Sequence, residues 1–180
     1  MEVNKLISLW LLWLSIVIGL VEGKFKSLSC SSFDQQLGNF SRCDIKALSR
    51  TRNTIDITYD VFGSFNSANV QIAFFKRANG WRPFLYDFTI SVCKFLRRPY
   101  HIIAIIAFEY LKPFTNLNHT CPYKPGTSVT IRNFDLNVDA LRSRFPFENG
   151  EYAVSVSFLI KNNLKLSING SIYHFNYREP

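Results

Sequence analysis

The stretch that decides the fold is "VQIAFFKRANGWRPFLYDFTISV", residues 70–92. Its Ala-Asn-Gly centre marks a tight reversal, and the residues on either side alternate between apolar and polar as in a half-buried hairpin. Loop length fixes the register. With a two-residue Asn79-Gly80 turn, Phe74 and Ile72 would oppose Leu85 and Asp87, and the apolar set would scatter over both faces. With a three-residue loop, Ala78-Asn79-Gly80, and Gly80 in the left-handed region, Phe74 faces Phe84, Ile72 faces Tyr86 and Val70 faces Phe88. One continuous apolar face then extends through Ile90 and Val92. On that face Lys76 opposes Arg82, so two cations stand at its rim, where they either splay into solvent or receive an anionic headgroup. Lys94, Arg97 and Arg98 form a second basic cluster beyond the strand.

Outward from the hairpin the period stays at two. "TIDITYDVF" (54–62), "EYAVSVSF" (151–158) and "NLKLSIN" (163–169) alternate apolar and polar residues. Weaker strand patterns cover Phe25 to Ser31, Cys43 to Ser49 and Ser128 to Phe134, with turn signals between them. Short strands at this spacing predict an all-β, antiparallel sandwich. One segment departs from the pattern: "YHIIAIIAFEYLKPF" (100–114), bounded by Pro99 and Pro113, reads as a short helix between Cys93 and Cys121. It is apolar on nearly every side and must bury itself, either against the sandwich edge or as a lid over an apolar cavity.

The N-terminus sets the compartment. A polar start with Lys5, an apolar run from Leu6 to Leu20 and a small-residue "VEG" predict a secretory leader over residues 1–23, leaving one domain over 24–180. The run, about 15 residues, is shorter than the roughly 20 that span a bilayer. Removing the leader takes away Lys5, Glu2 and Glu22, which raises the formal net charge from +8 to +9. In an exported chain such a charge points to anionic lipid, glycan or cell surface rather than nucleic acid. Cys30, Cys43, Cys93 and Cys121 then predict two disulfides. Three pairings are open; Cys30 with Cys43 and Cys93 with Cys121 close the most local loops. Sequons at Asn39, Asn118 and Asn169 predict exposed, glycosylated positions.

The residues offer no catalytic constellation. His101, His119 and His174 lack metal-ligand spacing, and no serine sits in a nucleophile elbow, so neither enzyme nor cofactor is expected. The aromatic content, 16% with 17 phenylalanines, exceeds what a simple sandwich core needs. Register singles out Phe74, Phe84, Tyr86, Phe88, Ile106 and Phe108 as the lining of a cavity, with Lys76 and Arg82 at its rim.

"FKRANGWRPFLYDFTISVCKFL" (75–96), "NLNHTCPYKPG" (116–126) and "FPFENGEYAVSVSF" (145–158) resemble the hallmark blocks of a large dipteran family of small secreted proteins of unknown function, the DUF1091 type, which includes CheB-like chemosensory proteins. That family is similar in turn to the ML lipid-recognition superfamily. Cys121, Pro122, Tyr123 and Gly126 resemble a cysteine-proline block of the superfamily's ganglioside activator, and Gly150 and Tyr152 its Gly-x-Tyr strand start. The resemblance implies an immunoglobulin-like sandwich that holds a lipid or other hydrophobic ligand between its sheets, with a chemosensory role and no catalytic residues. The expected partner is thus a hydrophobic small molecule, with a membrane surface or receptor as a further contact. The competing expectation is an interaction module with a solid core and a basic docking surface; a basic defence protein acting on microbial membranes is the third.

Overall fold

The computed structural model describes residues 21–50, 52–117, 121–136 and 148–176. Most of the expected leader, together with Asn118 and His119, lies outside them. Strands β1 (Val21–Ser32), β2 (Gly38–Ala47), β3 (Asn53–Val61), β4 (Asn69–Ala78) and β5 (Gly80–Ser91) come first. Helices α1 (Val92–Arg97) and α2 (Ile102–Leu111) follow, with a 3-10 turn at Lys112–Phe114. Strands β6 (Ser128–Asp135), β7 (Gly150–Ile160) and β8 (Asn163–Asn176) complete the chain. Two antiparallel sheets result, one in the order β1-β8-β7-β4-β5 and one in the order β2-β3-β6. This is the antiparallel β-sandwich that the alternation predicts, of the immunoglobulin-like kind that the resemblance implies. Val21–Gly23, the last residues of the expected leader, continue β1 against β8.

The hairpin β4–β5 follows the three-residue reading at its tip. Gly80 has φ +96°, and Lys76 opposes Arg82. The register then slips. Phe75 opposes Pro83 but Ala73 opposes Asp87, so Phe74 stands against Phe84, Leu85 and Tyr86 together, with Leu85 at φ +57°. Ile72 therefore faces Phe88 rather than Tyr86, and Val70 faces Ile90 rather than Phe88. A bulge of two extra residues keeps side-chain parity, which is why Phe84, Tyr86, Phe88 and Ile90 all turn inward while Leu85, Asp87 and Thr89 are exposed. The second correction is Val92, which opens α1 instead of extending the strand. At the β7–β8 turn Lys161 and Asn162 both have positive φ, the geometry of a two-residue hairpin that follows strand twist.

Alternation places Ile55, Ile57, Tyr59 and Val61 of β3 on the inner face, where all four are buried. β3 is the middle strand of the small sheet and is buried on both faces, so Asn53, Thr54 and Asp56 are buried as well. One end of the sandwich is plugged by Leu37, Tyr59, Val61, Phe65, Tyr123 and Leu166, with Phe65 stacked on Tyr123 at 5.1 Å.

The two long edges are closed differently. At β1/β2 the Cys30–Cys43 disulfide links the sheets. Beside it the Asn53 amide imitates a strand: Oδ1 accepts from Phe25 N (2.9 Å) and Nδ2 donates to Phe25 O (2.8 Å). At β5/β6 the helices form a roof. Phe95 and Ala104 pack with Ile90, Phe95 meets Phe108 edge-on at 5.7 Å, and Tyr110 reaches Phe134 of β6 at 5.5 Å. Cys93–Cys121 clamps the ends of this segment, so both local pairings are formed. Among the described residues no helix is long and apolar enough to cross a membrane.

Candidate ligand-binding site

The five-stranded sheet is wider than the three-stranded sheet that faces it. Where the small sheet covers it, at Leu166 and Phe25, inward residues are buried; farther out, Ile72, Phe74, Val154 and Val156 are only half-buried. Pairing aligns Phe74 with Val154, and Val154 with Gly170 of β8. Gly170 shares the inward parity of Ile168 and Ile172, both of which pack in the core. Among the described residues, a Cβ placed on it would meet only Ser27 O at 3.6 Å and Leu28 Cδ1 at 3.9 Å, both on the neighbouring strand β1. No described residue of the facing sheet comes within 4 Å of that point. A glycine in mid-strand often marks a place where another group approaches closely, and here it lies on the inner face in line with Val154 and Phe74.

At the open end, next to the hairpin tip, Phe84 tilts against Tyr152 at 5.2 Å. Lys76 Nζ lies over both rings, 5.9 Å from Phe84 and 5.8 Å from Tyr152. The same ammonium hydrogen-bonds the Glu148 carboxylate. Tyr152 holds Glu148 in place, its hydroxyl accepting from Glu148 N (3.1 Å) and donating to Glu148 O (3.0 Å). The hydrogen bond to Glu148 raises the pKa of Lys76, and the bond to Lys76 keeps the Glu148 carboxyl below the usual carboxylate range. Lys76 is thus a caged, paired cation, whereas Arg82, opposite it, is exposed.

The six expected lining residues divide into groups. Phe74, Phe84 and Tyr86 gather at the bulge, half-buried. Phe88 and Phe108 belong to the packed cluster under the roof, with Phe88 stacked on His101 at 4.3 Å. Ile106 is half-buried on α2. Two histidines lie among the described residues: His101 caps α2 by accepting from Ala104 N (3.4 Å), and His174 is fully buried in β8. Among the described residues no group of three or more His, Cys, Asp or Glu is placed to share a metal ion. Asn39 on β2 and Asn169 on β8 are exposed.

Sequence reasoning missed three contributors: Gly170, Val154 and Glu148. Parity along "LKLSINGSIYHF" puts Gly170 at an inward position where its neighbours are bulky, a legible signal. Glu148 carried none, because it meets Lys76 only through the tertiary fold.

Comparison with curated proteins gives no match. Residues 70–154, just under half of the chain, match the family described as "Protein of unknown function (DUF1091)", a stretch that holds the slipped hairpin, the helical roof, its cysteine clamp and the start of β7.

Proposed function

We propose that the chain is a secreted, glycosylated, non-enzymatic binder of a lipid or comparably hydrophobic small molecule. The ligand lies between the sheets, over Gly170 and under the α2 roof, with its polar end toward Lys76. The observation that supports this reading is the band of half-buried apolar side chains on the inner face, Ile72, Phe74, Val154 and Val156, beside a Gly170 that adds no side chain to it. Two disulfides and the exposed sequon residues Asn39 and Asn169 support the exported, glycosylated form. The resemblance to CheB-like and ML proteins adds the chemosensory context.

Native mass spectrometry and lipid extraction of the protein secreted from insect cells test the proposal. The expected result is an apolar molecule that copurifies and exchanges with added fatty acid. A chain that neither carries nor exchanges any apolar ligand would sink it. The interaction-module reading draws on Lys94, Arg97 and Arg98, all exposed around α1. Salt-sensitive cell-surface binding that survives a bulky substitution at Gly170 would favour that reading.

A further inference from the structure

The outer face of the three-stranded sheet carries a trough. Because Ile55, Ile57 and Tyr59 point into the core, Asp56 and Thr58 of β3 point outward. A carboxylate on an outward face is ordinarily wet, yet Asp56 is only 5% exposed. Arg42 and Lys46 on β2 and Arg132 on β6 stand around it and wall a trough of about 490 Å³, floored by Asp56, Thr58 and Asn133. That volume falls within the range of small-molecule sites, about 300–1,000 Å³.

The bulge in β6 shapes the floor. Asn133 adopts φ +50° opposite Asp56, and its N–H donates to Asp56 Oδ1 at 2.8 Å. Arg42 is committed on two sides, with Nε to Asp44 at 3.2 Å and a terminal nitrogen 3.8 Å from Asp56 Oδ2. The Lys46 and Arg132 side chains make no hydrogen bond or ion pair among the described residues. Arg132 of β6 lies in the bulge beside Asp56, Lys46 of β2 lies diagonally across β3 from it, opposite Thr54, and Asp44 of β2 stands directly opposite Asp56. Neighbouring strands are about 4.8 Å apart, so both cationic side chains reach over an Asp56 carboxylate that is already partly compensated. Two long cationic side chains on flanking strands can close on one tetrahedral oxyanion, which arginine binds through two parallel hydrogen bonds. The Asp56 carboxylate beneath them is an acceptor for hydroxyl groups. Cationic donors and a fixed acceptor in one trough suit a ligand that carries both kinds of group.

We infer that the trough formed by Arg42, Lys46, Asp56 and Arg132 binds an oxyanion ester of a sugar, either a sulfated glycan unit or a sugar phosphate. The site is separate from the inner face of the sandwich, so its fate does not depend on the hydrophobic ligand.

Calorimetric titration of the secreted protein in about 0.15 M salt, using sodium sulfate, a hexosamine 6-sulfate, a hexose 6-phosphate and the unesterified hexosamine, tests the inference. At least one ester should bind about tenfold or more tightly than both the inorganic ion and the unesterified sugar, and the tighter ester identifies the source. Lys46→Ala/Arg132→Ala should weaken that binding about tenfold, whereas Arg97→Ala/Arg98→Ala, which removes equal charge elsewhere, should change it by less than about twofold. Lys46 and Arg132 are exposed and unpaired, so the first variant should unfold at the same temperature as the wild type. No binding by either ester, binding no tighter than that of the bare ion or unesterified sugar, or equal weakening by both double variants would overturn the assignment.

Discussion

The two long edges of the sandwich solve one problem in opposite ways. At β1/β2, a side-chain amide bonded to both polar groups of a facing backbone, together with a disulfide, fixes the spacing of the sheets. At β5/β6, helix α2 bridges the sheets through ring contacts and hydrogen bonds that include the one from the Tyr110 hydroxyl to Asp135 O at 3.2 Å. Beyond it Asn116 bonds β6, with Nδ2 donating to Ser128 O (2.7 Å) and Oδ1 accepting from Thr130 N (2.8 Å). Backbone-type bonds tolerate little sliding, whereas packed side chains can exchange rotamers. The helical edge is also where apolar residues stay half-buried, with Ile102 67% exposed. If a ligand lies between the sheets as proposed, the stitched edge would serve as the hinge and the roofed edge as the mouth.

Cutting the clamp of the roof should break this comparison most severely. Cys93→Ser/Cys121→Ser frees a loop with a sequence separation of 28. Chain entropy alone puts the loss at about 3.5 kcal/mol. Hydrogen exchange should rise through α1 and α2 well before it rises in β3, because the roof opens as a unit. Uniform acceleration over the whole chain would show that the roof has no independent stability. At the hinge the expectation is reversed. Asn53→Ala leaves the buried N–H and C=O of Phe25 without partners and should cost about 3 kcal/mol. Urea denaturation should show it as a shifted midpoint with an unchanged slope, and exchange should rise everywhere together.

These contrasts were unevenly legible in the sequence. Strand period, loop length at Gly80 and the proline-bounded helix are local signals, and each led to the right element. The slip at Leu85 was hidden because a leucine at positive φ is held by its surroundings against its own preference. Helix α1, only six residues, is too short to show a period. Assignment of strands to sheets depends on pairings such as β1 with β8, nearly the whole chain apart. The candidate site divides in the same way. Its aromatic wall follows from parity, while Glu148 beside Lys76 arises from a contact 72 residues apart in sequence.

A milder intervention sharpens the distinction between packing and function. Gly170→Leu keeps the Asn-x-Ser sequon and places a side chain where the ligand is proposed to lie, with ordinary contacts at its Cβ. Stability should change by less than about 1 kcal/mol, since the new apolar group takes the space proposed for the ligand. Fatty-acid binding, read by displacement of a fluorescent analogue, should fall about tenfold or more. Unchanged binding would move the ligand away from this band. A large loss of stability would mean that the space was already filled.

The smallest effect concerns the rim. Glu148 has its carboxyl pKa lowered by Lys76, so its contribution to stability is present above the ordinary carboxyl value and is lost as pH falls through the lower folded value. Lys76 has its pKa raised by Glu148, so its contribution is present below the ordinary lysine value and is lost as pH rises through the higher folded value. The melting-temperature difference between wild type and Glu148→Gln should therefore be flat between the ordinary carboxyl and lysine ranges and fade as pH falls through the lowered Glu148 value. Because Glu148 is exposed, the difference should be slight and should shrink in about 0.5 M salt. The same variant asks whether Lys76 meets a headgroup. With its carboxylate partner gone, the caged ammonium should favour a fatty acid over the corresponding fatty alcohol more strongly than in the wild type. If acid and alcohol affinities change in parallel, Lys76 closes the rim by its pairing and aromatic contacts alone, and the polar end of the ligand lies elsewhere.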